Sequence, residues 1–157
     1  MMMQPMEQEQ TREPAPMTGG SALSFRIKRI GQRPLEFSGT ELGMAMSYVP
    51  GAPYWYEINI YRTVDQKFVV AVRHFFESED EQDTARAWEC DDFFSAMDML
   101  EAYDAADDVR VYADPEGKGL SVPELLAAAH THRAAAMAAR QQFGGLVGQI
   151  LSELSEG

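Results

Sequence analysis

The feature that most constrains this chain is a pair of strand-like runs joined by a short polar connection. Residues 54–62 and 67–76 are dense in aromatic and β-branched side chains, which favour extended backbone. The residues between them include Asp65 and Gln66, which suit a tight turn. The pattern therefore predicts an antiparallel β-hairpin.

Alternation along the first run separates two faces of that hairpin. One face carries only large apolar side chains, namely Tyr54, Tyr56, Ile58 and Ile60. The other face mixes aromatic and polar side chains, namely Trp55, Glu57, Asn59 and Tyr61. We expect the apolar face to lie in the core and the mixed face to be available for docking.

Shorter alternating segments predict further strands on both sides of the hairpin. An earlier hairpin is expected from residues 25–30 and 35–37, around a turn at residues 31–34. Residues 85–89 and 109–112 alternate in the same way. Residues 40–46 contain glycine and precede a segment rich in proline and glycine, so we expect a loop with one turn of helix there.

Two helices are predicted after the strands. An aspartate cap at 91 or 92, followed by apolar residues at helical spacing, predicts a helix over about 92–104. Ser121 and Glu124 form a capping box before an alanine-rich run that extends to about Gln142. Gly144 and Gly145 are expected to interrupt this long helix. Beyond them, the apolar stripe is expected to seek a partner; it comprises Phe143, Val147, Ile150 and Leu154.

The predicted fold class is α+β, an antiparallel sheet of four to six strands with one packed helix and a long C-terminal helix. Residues 1–21 lack apolar periodicity and are expected to form a disordered tail. Residues 22–142 are expected to form a single domain, because their length suits one core. Residues 143–157 are interpreted as an amphipathic C-terminal extension.

Charge is segregated along the chain. Residues 77–108 contain thirteen Asp and Glu residues and one basic residue, Arg86, whereas the whole chain has a formal net charge of −12. A field of this sign repels nucleic-acid backbones and attracts basic proteins. Four acidic residues are the candidate contacts for such a partner, namely Glu79, Asp80, Glu81 and Asp83.

Motifs for catalysis, metal binding or cofactor binding are absent from the sequence. Cys90 has no local nucleophile signature, and His74 falls inside a predicted strand without a serine or cysteine beside it. His130 and His132 are two residues apart on a helix, so they point to opposite sides and do not chelate one ion. The glycines near 144–148 follow a helix, unlike a phosphate-binding loop. We expect no cofactor and no metal.

The order of elements over residues 54–104 resembles the layout of WGR domains. In both, a hairpin is followed by a loop, a strand and a helix, here with Tyr56–Tyr61 and Phe68–Arg73 as the paired strands. WGR domains bind nucleic-acid ends or their complexes, so the resemblance implies a nucleic-acid-associated sheet module. The Trp-Gly-Arg motif is absent after Val72, and no binding residues are carried over.

These observations favour a small protein-interaction or adaptor module over an enzyme. Its acidic face and its C-terminal stripe would contact a protein partner or a second copy of the chain. The first alternative is an enzyme with a carboxylate and histidine site that uses Glu57, His74 and Arg62. The second is nucleic-acid binding, which is disfavoured by the net charge and would use Arg26, Lys28, Arg29, Arg33 and Arg62.

Compartment follows from cysteine usage and hydropathy. A single cysteine permits no intramolecular disulfide, which fits a reducing compartment. The N-terminal residues lack the apolar run of a signal peptide, and no stretch has the length of a membrane span. We therefore expect a cytoplasmic protein.

Overall fold

The structure, a computed structural model, describes residues 22–109 and 119–156, together with the backbone of Glu13–Pro14. The rest of the predicted tail at 1–21 lies outside the described residues. So does most of the predicted strand at 109–112, and Val109 itself ends a short 3-10 helix in extended backbone.

The sheet has six antiparallel strands in sequential order, so each strand pairs with the next one along the chain. The strands are β1 (Glu13–Pro14), β2 (Leu23–Ile27), β3 (Leu35–Met46), β4 (Tyr54–Thr63), β5 (Phe68–Phe76) and β6 (Thr84–Cys90). The helices are α1 (Phe93–Ala102) and α2 (Val122–Glu156), with the 3-10 helix Ala105–Asp108 between them. The predicted α+β class is confirmed.

The central hairpin, β4 and β5, matches its prediction because its strand signal is local. Its pairing runs without interruption from Tyr54 opposite Phe76 to Arg62 opposite Phe68. Gln66 in the connection has a φ of 68°, the left-handed conformation that a tight hairpin turn requires. Both helix caps are also as predicted. Asp92 accepts a bond from the Ser95 backbone amide at 2.7 Å, and Ser121 exchanges bonds with Glu124.

The loop predicted at residues 40–46 is wrong, because this segment continues β3. Residues 39–46 pair with β4, and the register shifts between Glu41 and Gly43. Gly39 lies so close to β4 that a Cβ there would clash with the backbone carbonyl of Arg62. Pairing with a strong neighbouring strand therefore outweighs the poor strand propensity of glycine in this segment.

The sheet curls, and this buries its second face. The Ile30 amide, three residues after β2, donates to the Ala85 carbonyl of β6 at 2.8 Å, so distant strands approach each other. Phe25, Phe37 and Tyr61 pack together inside the curl, with ring centroids 4.8–5.4 Å apart. The mixed face of β4 was expected to be available for docking, and this prediction is wrong. Glu57 and Asn59 on that face are buried. Curling is a long-range property that strand alternation does not report.

The other face of the sheet carries the main core under the helices. Ile58, Ile60, Val70 and Val72 pack there against both helices. Helix α2 runs without interruption through Gly144 and Gly145, so the predicted break is wrong. Packing on the sheet compensates for the low helix propensity of glycine here.

Candidate functional site

A cavity of about 650 Å³ lies between the first half of α2 and the ends of β4 and β5. We call it the His74 cavity. Half of the helical wall consists of alanines, namely Ala128, Ala129, Ala135 and Ala139. Alanine is the strongest helix former, but its methyl group does not span the distance to the sheet. The alanine-rich run therefore explains both a stable helix and an unfilled space beside it.

The sheet forms an aromatic floor for the cavity. Tyr54, His74 and Phe76 line it directly. The His74 ring stacks on Tyr56, with centroids 4.3 Å apart, and contacts Phe76 edge-on at 4.5 Å. These residues are brought together by strand register, because Tyr54 lies opposite Phe76 and Tyr56 lies opposite His74. Aromatic contacts on three sides hold the imidazole in one place.

His74 is the polar group of interest in this floor. The residue is 3% exposed, and neither ring nitrogen has a hydrogen-bond partner among the residues that the structure describes. Burial lowers the pKa of His74 below its ordinary value of 6.5, although Asp108 and Asp83 oppose that effect. The imidazole is therefore neutral at pH 7, with one donor nitrogen and one acceptor nitrogen, both of them buried.

Asp108 anchors the edge of the cavity. Its side chain is 1% exposed and accepts hydrogen bonds from the Tyr56 and Tyr103 hydroxyls, each at 2.7 Å. Arg86 donates to the same carboxylate at 3.0 Å. Burial and the bond to Asp108 raise the pKa of both tyrosines, so they stay protonated donors. Three donors fix Asp108, and this pins the 3-10 helix against the sheet.

The mouth of the cavity is acidic. Glu81 from the β5–β6 connection and Glu124 from the first turn of α2 both line it. Glu124 is exposed, and Glu81 is partly exposed. Lysine and arginine are absent from the described lining. The cavity thus combines an apolar body, the buried His74 imidazole, the partly exposed His132 imidazole from α2 and carboxylates at its entrance.

The four predicted acidic contacts lie in this same connection, residues 77–83, which we call the acidic turn. Glu79 and Asp80 are exposed, and Asp83 accepts a bond from the Phe76 amide at 3.0 Å. Other acids of residues 77–108 pair with basic residues. Asp91 pairs with Lys67 and Asp104 with Arg140, both from outside the segment, whereas Asp108 pairs with Arg86 from within it. Basic residues therefore compensate part of the negative charge of residues 77–108.

The predicted apolar stripe lies on this protein's own core. Phe143 and Ile150 are buried between α2 and the sheet, and Val147 and Leu154 are partly buried against the same cluster. Phe143 and Val147 also line a second cavity of about 500 Å³ between α1 and α2. The apolar stripe therefore packs against this protein's own sheet. Phe143 and Ile150 are buried there and are not exposed to another molecule.

The residues of the enzyme hypothesis are not brought together. Glu57 and His74 lie on opposite faces of the sheet, and Glu57 pairs with Arg73 at 3.1 Å. Arg62 lies at the far end of β4, where it donates to Gln66. Of the basic residues considered for nucleic acid, Arg26 pairs with Glu36 at 3.2 Å.

The described parts of the chain contain neither an activated thiol nor a group of metal ligands. Burial raises the pKa of the Cys90 thiol, and the neighbouring acidic residues raise it further, so the thiol is a poor nucleophile. Within residues 22–109 and 119–156, no three His, Cys, Asp or Glu side chains are grouped closely enough to hold a metal ion.

Sequence reasoning missed the His74 cavity. The available signal was the alanine run of α2 beside a histidine on an otherwise apolar strand face. These residues indicate a cavity only once it is known which part of the sheet the helix packs against.

Comparison with known protein families, curated proteins and solved structures finds no significant match for this chain. The described helices include none with the length and hydropathy needed to span a bilayer.

Proposed function

We propose that this protein binds a small, mainly apolar ligand in the His74 cavity. The volume lies within the range of small-molecule sites, about 300–1,000 Å³, and such sites are typically apolar with few polar groups. The observation that carries the proposal is His74, a buried imidazole with two unpartnered nitrogens beside that volume.

A purely structural role does not account for these unpartnered atoms. A buried polar group without a partner costs about 1–3 kcal/mol, and an apolar ring would fill the same place without that cost. Thr84, the cross-strand neighbour of His74, also holds a buried hydroxyl without a partner among the described residues. Two such groups side by side, one of them on a residue that lines the cavity, favour a site that a ligand completes.

A matched pair of helix variants tests the proposal. Ala135 lines the cavity, whereas its neighbour Ala134 is exposed and does not. Ala135→Leu is expected to fill the space and weaken binding of the neutral apolar dye Nile red by about tenfold or more. Ala134→Leu adds the same side chain outside the cavity and is expected to bind like the parent protein.

Fluorescence titration gives both affinities, and thermal unfolding checks that both variants fold. Absence of saturable dye binding to the parent protein would overturn the proposal. Equal binding by the two folded variants would do the same, because it would place the dye elsewhere.

We propose docking of a basic protein segment on the acidic turn as a second function. The observation that favours it is the exposure of Glu79 and Asp80 next to Glu81 at the cavity mouth. Replacing Glu79 and Asp80 with lysine is expected to abolish recovery of a basic partner that the parent protein retains at low salt. Retention by the charge-reversed protein would refute this second function.

A further inference from the structure

The shape of the His74 cavity indicates which apolar ligands it accepts. We propose that the ligand is an unbranched alkyl chain that lies along α2, with its tail at Ala139 and its head group at the mouth near Leu125. The inference rests on the proposed function, and it adds the chemical class of the ligand.

The cavity is long and narrow. Its lining on α2 extends from Glu124 to Ala139, and at about 1.5 Å per residue that stretch of helix is about 22 Å long. A volume of about 650 Å³ over that length gives a mean cross-section of about 30 Å², or about 6 Å across. Carbon atoms in contact lie about 4 Å apart, so a channel of this width holds a single alkyl chain.

The channel is open at one end and closed at the other. Leu125 near the start of α2 is 37% exposed, whereas Ala139 at the other end of the lining is 1% exposed. Ala128 and Ala135 between them are partly exposed. Accessibility therefore falls along the helix, which fits a chain that enters near Leu125 and ends at Ala139.

Polar and apolar side chains follow one another along the channel in the same order as in such a ligand. The polar side chains that α2 contributes are Glu124, Thr131 and His132, and all three precede the last two lining alanines. On the sheet side, the Asp108 carboxylate already accepts three hydrogen bonds from protein side chains. The closed end at Ala139 therefore suits an apolar tail, because a polar group there would lose its hydrogen bonds to water.

Straight-chain alcohols measure the length of the channel. 1-Octanol, 1-decanol and 1-dodecanol are neutral and differ in chain length alone. Each carbon of an extended chain advances about 1.25 Å, so the channel accommodates about 16–18 carbons and is longer than all three alcohols. Each buried methylene is expected to raise the affinity about fourfold, so dodecanol is expected to bind roughly 200-fold more tightly than octanol. Isothermal titration calorimetry, with protein titrated into dilute alcohol, gives these affinities.

A cyclic alcohol separates shape from apolar content. Cyclododecanol has the same number of carbon atoms as dodecanol and one hydroxyl, but its ring is shorter and wider than an extended chain. We expect the parent protein to bind it at least about tenfold more weakly than dodecanol, because the ring does not reach along the channel.

The pair of helix variants already described locates the chain. Ala135 lies about 15 Å along the helix from Leu125, and a leucine side chain leans toward the helix N-terminus. Ala135→Leu therefore shortens the channel to about 10–12 Å, the length of about 8–10 carbons. In this variant dodecanol is expected to exceed octanol by about tenfold or less. Ala134→Leu, outside the lining, is expected to keep the ratio of the parent protein.

The outcomes distinguish this inference from the function beneath it. Binding of cyclododecanol as tight as that of dodecanol would overturn the assignment of an alkyl chain and leave a ligand-binding cavity in place. An unchanged ratio of dodecanol to octanol affinity in folded Ala135→Leu would also overturn it, as would Nile red binding without binding of any alcohol. If neither the alcohols nor Nile red bind, the proposed function itself fails.

Discussion

Replacement of His74 by phenylalanine is expected to make this protein more stable. Phenylalanine keeps the ring that stacks on Tyr56, and it removes two buried nitrogens that lack partners among the described residues. Each unsatisfied group costs about 1–3 kcal/mol, whereas overpacking by the larger ring costs about 1 kcal/mol beside a cavity that accommodates it. We expect a net gain of about 1–2 kcal/mol, or about 3–6 °C in Tm for a chain of this size.

The gain is expected to grow as the pH falls. Burial lowers the pKa of His74 in the folded protein, so the unfolded chain takes up a proton first on acidification. Stability of the parent protein therefore falls as the pH drops below about 6.5, by up to about 1.4 kcal/mol per pH unit, until the folded pKa is reached. The pKa of Asp104 is held at about 2 by its bonds to Arg140. The stability that this ion pair contributes is therefore lost only at a lower pH than the stability linked to His74.

Urea unfolding at about pH 7.5 and about pH 5.5 measures both effects. The control His130→Phe makes the same change at an exposed position of α2, where no gain is expected. A His74→Phe variant that is less stable than the parent protein, or one with an unchanged pH dependence, would refute the reasoning about the unpartnered imidazole.

Three further predictions follow from particular contacts. Asp108→Asn removes a buried charge to which three side chains donate hydrogen bonds. We expect urea unfolding to show that the free energy of unfolding falls by about 2–4 kcal/mol. A fall of less than about 1 kcal/mol would contradict this account. Deletion of residues 143–157 removes three buried apolar side chains that contribute about 2–5 kcal/mol each to stability. Circular dichroism is therefore expected to show an unfolded chain. A cooperative thermal unfolding transition of the truncated protein would contradict this prediction. Gly39→Ala forces a Cβ against a backbone carbonyl and is expected to lower the free energy of unfolding by about 1–3 kcal/mol. Gly43→Ala is expected to lower it less, because the nearest atoms there belong to side chains that can move. Equal losses in the two variants would contradict this difference.

The parts of the fold that the sequence predicts are those with local causes. The hairpin of β4 and β5 follows from side chains within each strand, and the start of α2 follows from Ser121 and Glu124 three residues apart. The residues from Gly39 to Met46 have weak local preferences, so pairing with β4 decides their conformation. The same applies to Gly144 and Gly145, where packing on the sheet keeps the helix continuous.

The candidate site depends on distant contacts, which explains why the sequence did not reveal it. His74 reads as an ordinary strand residue until its register opposite Tyr56 and its position under α2 are known. The alanines of α2 suggest helix stability, and only their placement over an aromatic floor turns them into a cavity wall. The acidic turn was evident as charge, but its position at the mouth of a cavity was not.

Nuclear magnetic resonance of the histidine side chains tests the central claim most directly. In a nitrogen-15 labelled protein titrated with naphthylethanol, we predict saturable shifts of both His74 ring nitrogens, because the neutral ligand enters the cavity beside them. The exposed His130 ring serves as the reference and is predicted to stay unchanged. His74 resonances that do not move at saturating ligand would contradict the claim that this cavity is a binding site.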